Sequence, residues 1–465
     1  MCPTFEQLSL LPNEKRPMVQ DFAFVYSSQA LANLVKEIEV LFTKVDEQAF
    51  FRDLVNISRS RTEPYHRWAR YREGFSGALV AEMIRRSSLD PKRHFIFDPM
   101  CGSGSTLVAS AQLGFDSIGS DINSYSVDLS NVKVTHHTSE VIRRVKGFIK
   151  KPLRKLGSAA VRPWKRLDEC RLYFRPEHLA ELQSIVNSIN SVSNAAARQL
   201  LFVAWLTILE DCSERRKDGN GLATRPSPVR DVWLHFTGKV QMFLQDINDH
   251  PLPSSIYGFA ANASALDAQT IVDSFRQQTN KELGVVIFSP PYANSFDYFE
   301  SYKIELLAGY LDEKSLIEKR TQAIRNYRKG YGYPLMTNDK ILKLLCEEIA
   351  GRIPEKEVRT GKRDNRTRLV PNLLIGYFED MEKVLRALFT SMVSNSKCHI
   401  VVDQSSYVGV IVPTDILLAN IAQRIGFQVA QLIYCRKANT SGQQIRQYPY
   451  LATMLRESIV SLVRP

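Results

Sequence analysis

Short runs of β-branched and aromatic residues alternate along this chain with longer amphipathic stretches, and this alternation limits the possible folds most strongly. Parallel strands need a long crossover connection, usually a helix. The pattern therefore predicts an α/β fold with a doubly wound, mostly parallel sheet of seven strands covered by helices. The predicted strands are Phe95–Asp98, Ser117–Asp121, Gly258–Ala261, Val285–Ser289, His399–Asp403, Gln428–Cys435 and Ser458–Val463.

Two long segments interrupt the alternation. Residues 135–254 are mostly helical in pattern and basic, and residues 311–370 are polar, with the basic loops "RNYRKGYGYP" and "RTGKRDNRTR". We predict both as insertions into a domain formed by residues 61–134 and 255–465, and as sources of substrate recognition. Residues 1–60 stay unassigned except for a helix near Gln29–Val45. The predicted helices of the sheet domain are Ser105–Leu113, Ser124–Val134, Asp297–Tyr310, Asn372–Met392 and Pro413–Ile425.

The composition excludes several protein classes. The 465 residues are 44% hydrophobic, enough for one large or two ordinary domains. No run of about 18 apolar residues occurs, and the N-terminus lacks the order of a signal peptide, so we expect a cytoplasmic protein without a membrane partner. The seven cysteines include no CxxC pair, and His136 and His137 are adjacent rather than four residues apart. Neither a disulfide framework nor a metal site is predicted.

The net charge of +12 favours a polyanionic partner, although basic ribosomal, membrane-surface and merely soluble proteins share it. Residues 143–175 carry twelve lysines and arginines against two acidic residues, with aromatic residues interleaved. That mixture is typical of segments that neutralise phosphates and pack against bases or sugars. A solvated basic helix face is the alternative interpretation. The predicted nucleic-acid contacts in this segment are Lys150, Lys151, Arg154 and Lys155.

A glycine-rich turn follows the first predicted strand, in "FIFDPMCGSGSTLVASAQLG". Gly102 and Gly104 allow a close approach of a ligand to the backbone, and the next residues open a helix whose amides point at it. The spacing is neither GxGxxG nor that of a phosphate loop. Asp121, at the end of the next strand, can accept both hydroxyls of a ribose. Together these features predict an adenosine-bearing cofactor without a pyrophosphate, whereas each alone also fits an ordinary turn or a helix cap.

A second turn follows a later strand, in "VVIFSPPY". Pro290 and Pro291 make a rigid turn at the carboxyl end of the strand, where open α/β sheets bind ligands. The carbonyl groups of Ser289 and Pro290 can accept hydrogen bonds from an amine, and the Tyr292 ring can stack on a planar base. The exocyclic amino group of a nucleobase suits this arrangement. The alternative is a strand-terminating turn with a buried tyrosine.

The two motifs resemble those of the S-adenosylmethionine-dependent amino-DNA methyltransferases. "DPMCGSGS" is similar to their glycine-rich motif, and Ser289-Pro290-Pro291-Tyr292 is similar to their catalytic [S/D/N]PP[Y/F] motif. "YHRWARYREGFSGALV" resembles the segment that packs on the methionine part of their cofactor. The resemblance covers most of residues 65–135 and 255–465 and implies a class I methyltransferase fold, which is Rossmann-like.

The resemblance implies S-adenosylmethionine as cofactor, double-stranded DNA as substrate, and catalytic roles for Ser289, Pro290, Pro291 and Tyr292. Asn262 departs from the family, which often has an acid at that place. No metal is needed, since the sulfonium already activates the methyl group. The expected cofactor contacts are Phe75, Asp98, Pro99, Cys101, Gly102, Gly104, Thr106, Asp121, Ile122, Asn262 and Ala263.

The SPPY variant resembles the cytosine-N4 enzymes, whereas DPPY is more usual for adenine-N6. We therefore predict a site-specific cytosine-N4 DNA methyltransferase, with restriction or defence proteins as partners and an association with the nucleoid through DNA. The alternatives are an adenine-N6 DNA methyltransferase, an RNA guanine-N2 methyltransferase, and an inactive DNA-binding subunit. Further DNA contacts are predicted at Arg325, Arg328, Lys329, Gln443, Gln444 and Arg446.

Overall fold

The structure, a computed structural model, describes residues 26–465 apart from residues 72–73, 153–163, 219–220, 295, 327–335 and 439. Within that part, twelve strands form one eight-stranded sheet and two hairpins. They are β1 Lys44–Asp46, β2 His94–Asp98, β3 Ser117–Asp121, β4 Arg215–Asp218, β5 Gly221–Thr224, β6 Gly258–Asn262, β7 Glu282–Phe288, β8 Lys397–Asp403, β9 Ser405–Tyr407, β10 Val410–Val412, β11 Gln428–Lys437 and β12 Arg456–Val463.

The order of strands in the large sheet is β1-β11-β12-β8-β7-β2-β3-β6, and β12 runs antiparallel to both of its neighbours. From β2 the chain winds outward through β3 to β6 and then returns to place β7 on the other side of β2. Winding therefore reverses between β2 and β7. Open α/β sheets bind ligands outside the carboxyl ends of the strands at such a reversal. The loops after Asp98 and Phe288 occupy that position.

The predicted helices are largely present, with ends that differ by a few residues. The α-helices of the described residues are α1 Gln29–Glu39, α2 Gln48–Phe51, α3 Gly77–Ser87, α4 Ser105–Gln112, α5 Ser124–Val134, α6 Ser139–Ile149, α7 Pro176–Asn190, α8 Ala195–Cys212, α9 Val232–Asp249, α10 Ala268–Thr279, α11 Tyr298–Ser301, α12 Lys303–Gly309, α13 Glu313–Thr321, α14 Lys340–Thr360, α15 Val370–Ser391, α16 Thr414–Ile425, α17 Gly442–Gln447 and α18 Leu451–Met454. In this part of the chain, no helix has the length and apolar composition needed to cross a membrane.

Helices cover both faces of the large sheet, because successive side chains of a strand point to opposite faces. In β7, Val285 and Ile287 pack with α3 on one face. Val286 and Phe288 pack with α10, α15 and α16 on the other face. β7 is buried over nearly its whole length, as expected for a central parallel strand. The doubly wound, Rossmann-like α/β fold is confirmed.

The sheet has eight strands rather than the predicted seven. The helix predicted near Gln29–Val45 ends at Glu39, and Lys44–Asp46 then forms β1, which pairs in parallel with β11. A strand of three residues is too short to show a period in the sequence. Residues before 60 therefore contribute an edge strand to the sheet.

The first insertion is helical, as predicted, and also contains a β-hairpin that was not predicted. Its central helix, α8, buries most of its side chains, including Trp205, among the helices around it. The β4–β5 hairpin pairs Arg215 with Thr224 and lies beside α11. The two strands have the sequences RRKD and GLAT, which do not alternate between apolar and polar residues. The sequence therefore gave no apolar face by which a strand could be recognised.

Two further predictions were wrong in detail. The single helix predicted for residues 297–310 is divided into α11 and α12 at Tyr302, whose φ of −110° and ψ of 20° are not helical. Residues 311–370, predicted as polar and loop-rich, contain α13 and the 21-residue α14. Pro354 lies inside α14, although a proline in the interior of a helix usually kinks or ends it.

A buried ionic network joins the N-terminal helix to the last strand. The Arg456 guanidinium contacts Asp415 at 2.7 Å and Glu39 at 3.4 Å, and all three side chains are almost wholly buried. Ser458 and Gln404 donate further hydrogen bonds to Asp415, each at 2.9 Å. Hydrogen bonding of this kind is what makes buried charges tolerable.

Replacing Arg456 with Met should destabilise the fold by about 3–5 kcal/mol, because two carboxylates would lose the charge that compensates them. Urea unfolding measures this loss. Arg386→Met is the matched control, since Arg386 pairs with Glu382 at an exposed site on α15. That control should change stability by about 0.5 kcal/mol or less. Similar losses in both variants would contradict this account.

Candidate functional site

A cavity of about 400 Å³ opens at the carboxyl ends of β2, β3 and β7. We call it the switch-point cavity. It brings both motifs of the sequence analysis to one place, because its lining includes residues of the glycine-rich turn and of the SPPY turn. The predicted site residues on its wall are Phe75, Asp98, Pro99, Cys101, Gly102, Asp121, Ile122, Ala263, Ser289, Pro291 and Arg325, the last of which was predicted as a DNA contact.

Asp121 closes one side of the cavity at the end of β3. Its carboxylate accepts backbone hydrogen bonds from Gly102 at 2.9 Å and from Asn123 at 2.8 Å. Enclosure raises the pKa of this carboxyl to about 6, although the backbone hydrogen bonds oppose the shift. Asp121 therefore joins the glycine turn to β3 and presents acceptor oxygens on the wall of the cavity.

Asp98 organises the other side of the glycine turn. It accepts hydrogen bonds from the Met100 amide at 3.0 Å and from the Thr106 hydroxyl at 2.5 Å. Burial raises the pKa of Asp98 to about 7. Thr106 is buried behind the turn and does not belong to the cavity wall as described. Its cofactor contact stays a prediction, and the structure shows its hydroxyl supporting the turn through a hydrogen bond to Asp98.

Gly104 also supports the turn instead of lining the cavity. Its φ is +81°, and a Cβ there would lie 2.7 Å from Ser130 Oγ. Both the backbone conformation and the close approach of α5 therefore require glycine. Gly102, with φ of +50°, faces the Tyr71 ring in the same way, at 3.0 Å from an added Cβ.

One face of α5 holds the glycine turn from behind. Ser126 Oγ lies 2.9 Å from the Tyr71 hydroxyl, Ser130 Oγ donates to Gly102 O at 2.9 Å, and Lys133 Nζ donates to Ser103 O at 2.7 Å. Positions separated by three or four residues share one side of a helix. Burial lowers the pKa of Lys133 to about 7. Sequence reasoning missed this row, although its spacing within "NSYSVDLSNVKV" was available.

Aromatic side chains form the wall beneath the turn. Phe75 is buried and lines the cavity. Tyr71 also lines it and stacks on Tyr302, with ring centroids 4.9 Å apart. The Lys217 ammonium lies 4.2 Å from the Tyr302 ring centroid and 2.6 Å from Glu305. The first insertion therefore contacts the aromatic residues that support the cavity.

The SPPY turn enters the cavity through Ser289 and Pro291, whereas Tyr292 lies in the core behind it. The Tyr292 hydroxyl accepts from Ser289 Oγ and donates to Glu457 Oε1, at 3.3 Å each. Glu457, at the start of β12, is also paired with Arg436. The predicted stacking role of Tyr292 needs an exposed ring face, and only 7% of its surface is exposed. In this structure Tyr292 anchors the turn.

A neighbouring contact fixes the residue after Tyr292. The Tyr407 hydroxyl, from β9, donates to Ala293 O at 2.7 Å. The turn is thus held by β12, which β8 separates from β7 in the sheet, through Glu457, and by β9 of a separate hairpin through Tyr407.

Residues 320–326 close the cavity opposite the glycine turn. Arg320 lies 3.4 Å from Asp297 and 3.2 Å from Glu300, and Asn326 donates to Phe296 O at 2.8 Å. Burial raises the pKa of Asp297, which also lines the cavity, although Arg320 opposes this shift. Sequence reasoning selected only Arg325 of this segment, as a DNA contact, because the other contacts join residues about 20 to 30 positions apart.

Asn262 lies outside the cavity wall as described, and its exposed side chain donates to Ser124 Oγ at 2.7 Å. Ala263, the next residue, does line the cavity. Pro290 is buried within the turn. The cofactor contact of Asn262 stays a prediction. In the structure its side chain links the end of β6 to the start of α5 through the hydrogen bond to Ser124.

The predicted DNA contacts lie in several places. Lys150 and Lys151 are exposed at the end of α6, and Gln443 and Arg446 are exposed on α17. Gln444 donates to Ser406 O at 3.1 Å. Arg325 is held by Asp380 and Glu379, so its guanidinium is already paired. The remaining predicted contacts fall outside the described residues: Arg154, Lys155, Arg328 and Lys329.

Comparison with known proteins agrees with this geometry. Residues 15–132 match a family model described as DNA methylase, of the N6/N4 methyltransferase type. The chain is 26% identical over 431 residues to the Type II methyltransferase M.AvaI of Nostoc sp., which covers 85% of this chain and 86% of that protein. The Type II methyltransferase M.BsoBI of Geobacillus stearothermophilus is 25% identical over 471 residues, or 90% and 89% of the two chains.

The family match and the two relatives together support an amino-DNA methyltransferase of the N6/N4 type. The family model covers the glycine turn and Asp121, and the two relatives extend the similarity over most of this methyltransferase. The rRNA methyltransferase AviRa of Streptomyces viridochromogenes is a more distant solved structure, with a TM-score of 0.29 and 9% identity over 83% of this chain and 85% of its own.

Cofactor affinity of this methyltransferase should fall as the pH drops through about 6, because the Asp121 carboxyl then takes up a proton and loses acceptor capacity. Calorimetric titration of the cofactor from pH 5 to pH 8 measures the change. Asp121→Asn should bind weakly at every pH and show a flatter profile.

Unfolding is not expected to cause that loss. The folded pKa of Asp121 is raised from 3.8 to about 6, so its ionisation costs stability at high pH and its protonation favours the folded state. An affinity that stays constant from pH 8 to pH 5 would contradict the role given to Asp121.

Removing the Tyr292 hydroxyl should loosen the SPPY turn without weakening cofactor binding. Tyr292→Phe loses one hydrogen bond to Glu457, and about 1.4 kcal/mol of lost positioning corresponds to a tenfold lower kcat. Steady-state methyl transfer measures kcat and KM separately. Tyr310→Phe is the matched control, since Tyr310 donates to Asp128 on α5 at 2.6 Å. Equal losses of kcat in both variants would exclude a specific role for Tyr292.

Proposed function

We propose that this protein transfers the methyl group of S-adenosylmethionine to the exocyclic N4 amine of cytosine in double-stranded DNA. One observation carries the proposal: Ser289 and Pro291 of the SPPY turn line the same cavity as Gly102 and Asp121. In this proposal Asp121 would be the ribose acceptor and the SPPY turn would hold the amine, side by side at the winding reversal of the sheet. A nucleoside cofactor and an extruded base can meet there.

The residues of the cavity fit the cofactor. The cavity volume, about 400 Å³, lies within the range of small-molecule sites. Asp121 would accept the ribose hydroxyls, the Gly102 backbone would allow close contact, and Phe75 and Tyr71 would pack against the apolar part. S-adenosylmethionine, when bound, supplies a methyl group that is already activated by its sulfonium, so positioning is the main task of the protein.

The SPPY turn would make the amine nucleophilic. The N4 lone pair of cytosine is delocalised into the ring, and acceptors that hold the amine hydrogens favour a more tetrahedral nitrogen. The Pro290 carbonyl and Ser289 are the acceptors this turn offers. Glu457 and Tyr407 hold the turn from behind, so its oxygens are positioned before the base arrives.

A base inside a duplex cannot reach this enclosed turn. It must leave the stack, at a cost of a few kcal/mol that contacts to the base and the phosphates offset. Tyr298, which lines the cavity and is only partly buried, is a candidate wall for the extruded base, and Phe296 packs against it with ring centroids 4.8 Å apart. Tyr298 replaces the predicted platform at Tyr292, whose ring is buried.

Cytosine is preferred over adenine because the residue before the two prolines is Ser289 rather than an acid. The Type II names of the relatives M.AvaI and M.BsoBI support a place in restriction-modification, with a restriction enzyme as functional partner. A protein that methylates DNA would act where the DNA is, in the cytoplasm and nucleoid of a bacterium.

Identification of the methylated nucleoside tests the proposal. The protein is incubated with S-adenosylmethionine labelled in the methyl group and with unmethylated plasmid DNA, which is then digested to nucleosides and separated. Label in N4-methyldeoxycytidine is expected. Label in N6-methyldeoxyadenosine would overturn the choice of base, and transfer to RNA but not to DNA would overturn the choice of substrate.

Substitution of the turn separates catalysis from binding. Ser289→Ala should lower kcat by about two orders of magnitude, because one acceptor for the amine is lost. The double variant Ser289→Ala, Tyr292→Ala should abolish transfer while retaining DNA binding in an anisotropy assay. A parent protein that binds DNA yet transfers no methyl group would favour an inactive DNA-binding subunit.

A further inference from the structure

A basic surface extends from the end of α14 through residues 361–369 to α17. Its exposed cations are Arg359, Lys362, Arg363, Arg366 and Arg446. We call these residues the carboxyl-edge basic surface. Three of them, Lys362, Arg363 and Arg366, lie in the segment between α14 and α15, which the predicted DNA contacts did not include.

The path of the chain places this segment on the same edge of the sheet as the SPPY turn. α15 leads to the amino end of β8 at Lys397, so the beginning of α15 at Val370 lies toward the opposite, carboxyl edge. The helix has 22 residues and is about 33 Å long, whereas the seven residues of β8 span about 23 Å. The α14–α15 connection therefore reaches beyond the strand ends.

A series of hydrogen bonds connects the surface to the SPPY turn. Arg359 donates to the Tyr448 hydroxyl at 3.1 Å, just after α17. Gln444 of α17 donates to Ser406 O at 3.1 Å. The next residue, Tyr407, donates to Ala293 O at 2.7 Å. Each step is a hydrogen bond or a peptide link, so the basic surface adjoins the turn.

The charge of this surface is not balanced by its acidic groups. Residues 359–368 and 437–446 together contain seven lysines and arginines and one acidic residue, Asp364. Asp364 pairs with Lys356, and Glu357 pairs with Arg368 at 2.7 Å. Despite partial burial, the hydrogen bonds from Lys356 and Thr367 lower the pKa of Asp364 to about 2. Asp364 and Glu357 thus stabilise the loop through these ion pairs. The remaining exposed cations give the surface a net positive charge.

We propose that the carboxyl-edge basic surface binds the phosphate backbone of the DNA duplex and holds it over the SPPY turn. Lys362, Arg363 and Arg366 would contact phosphates, and Arg446 on α17 would extend the contact beside the turn. Phosphate contacts set the position of a duplex without reading its sequence. This inference rests on the proposed function, since it assumes that DNA is the substrate.

A charge-neutralising double variant tests the inference. Arg363→Gln with Arg366→Gln should weaken binding of a fluorescent duplex more than about tenfold, and each lost phosphate contact should reduce the salt-dependence slope by about 0.9. The KM for DNA should rise, while kcat at saturating DNA and the cofactor affinity stay unchanged. Arg363→Lys with Arg366→Lys retains the charge and should restore most of the binding.

Lys92→Gln with Arg93→Gln is the matched control, because these exposed residues precede β2 at the opposite edge of the sheet. Equal losses in both double variants, or no loss in Arg363→Gln with Arg366→Gln, would overturn the inference. Tighter binding of the protein to an RNA duplex than to a DNA duplex of the same sequence would also overturn the inference. If the unaltered protein transfers no methyl group but loses DNA binding only through Arg363 and Arg366, the proposed function fails and the surface stands.

Discussion

The reversal of winding between β2 and β7 is the constraint on which the rest of this structure depends. Connections that leave two neighbouring parallel strands in opposite directions cannot cover the space above their carboxyl ends. The glycine turn closes one side of that space, and the SPPY turn closes the other. Because the two strands are direct neighbours, the glycine turn and the SPPY turn share one cavity.

Each turn is held by groups that do not line the cavity. Behind the glycine turn lie Thr106, Ser130 and Lys133, and behind the SPPY turn lie Glu457 and Tyr407. Buried polar groups must be hydrogen-bonded, so these contacts also restrict the turns to one arrangement. These contacts fix the positions of the backbone atoms of the two turns.

Sequence reasoning located the site but not all of its members. Residues in the two turns were recognisable because their chemistry is local: Gly102 allows a close approach, and the prolines fix a turn. Tyr71, Asp297 and, apart from Arg325, residues 320–326 were missed because they reach the cavity from distant parts of the chain. Tyr292 was given a stacking role, whereas its ring packs in the core beside β12. Only the pairing of β12 with β8 brings Glu457 near that hydroxyl.

The sequence by itself determined the fold class, the two motifs and their order, because strand patterns and turn residues act within a few positions. It also indicated a basic protein suited to a polyanion. Tertiary structure decided that the SPPY tyrosine is an anchor, that Arg325 is already paired, and that residues 359–366 reach the edge where the turn lies. These results depend on which helices and strands pack together, and packing between residues far apart in sequence is set by the whole core.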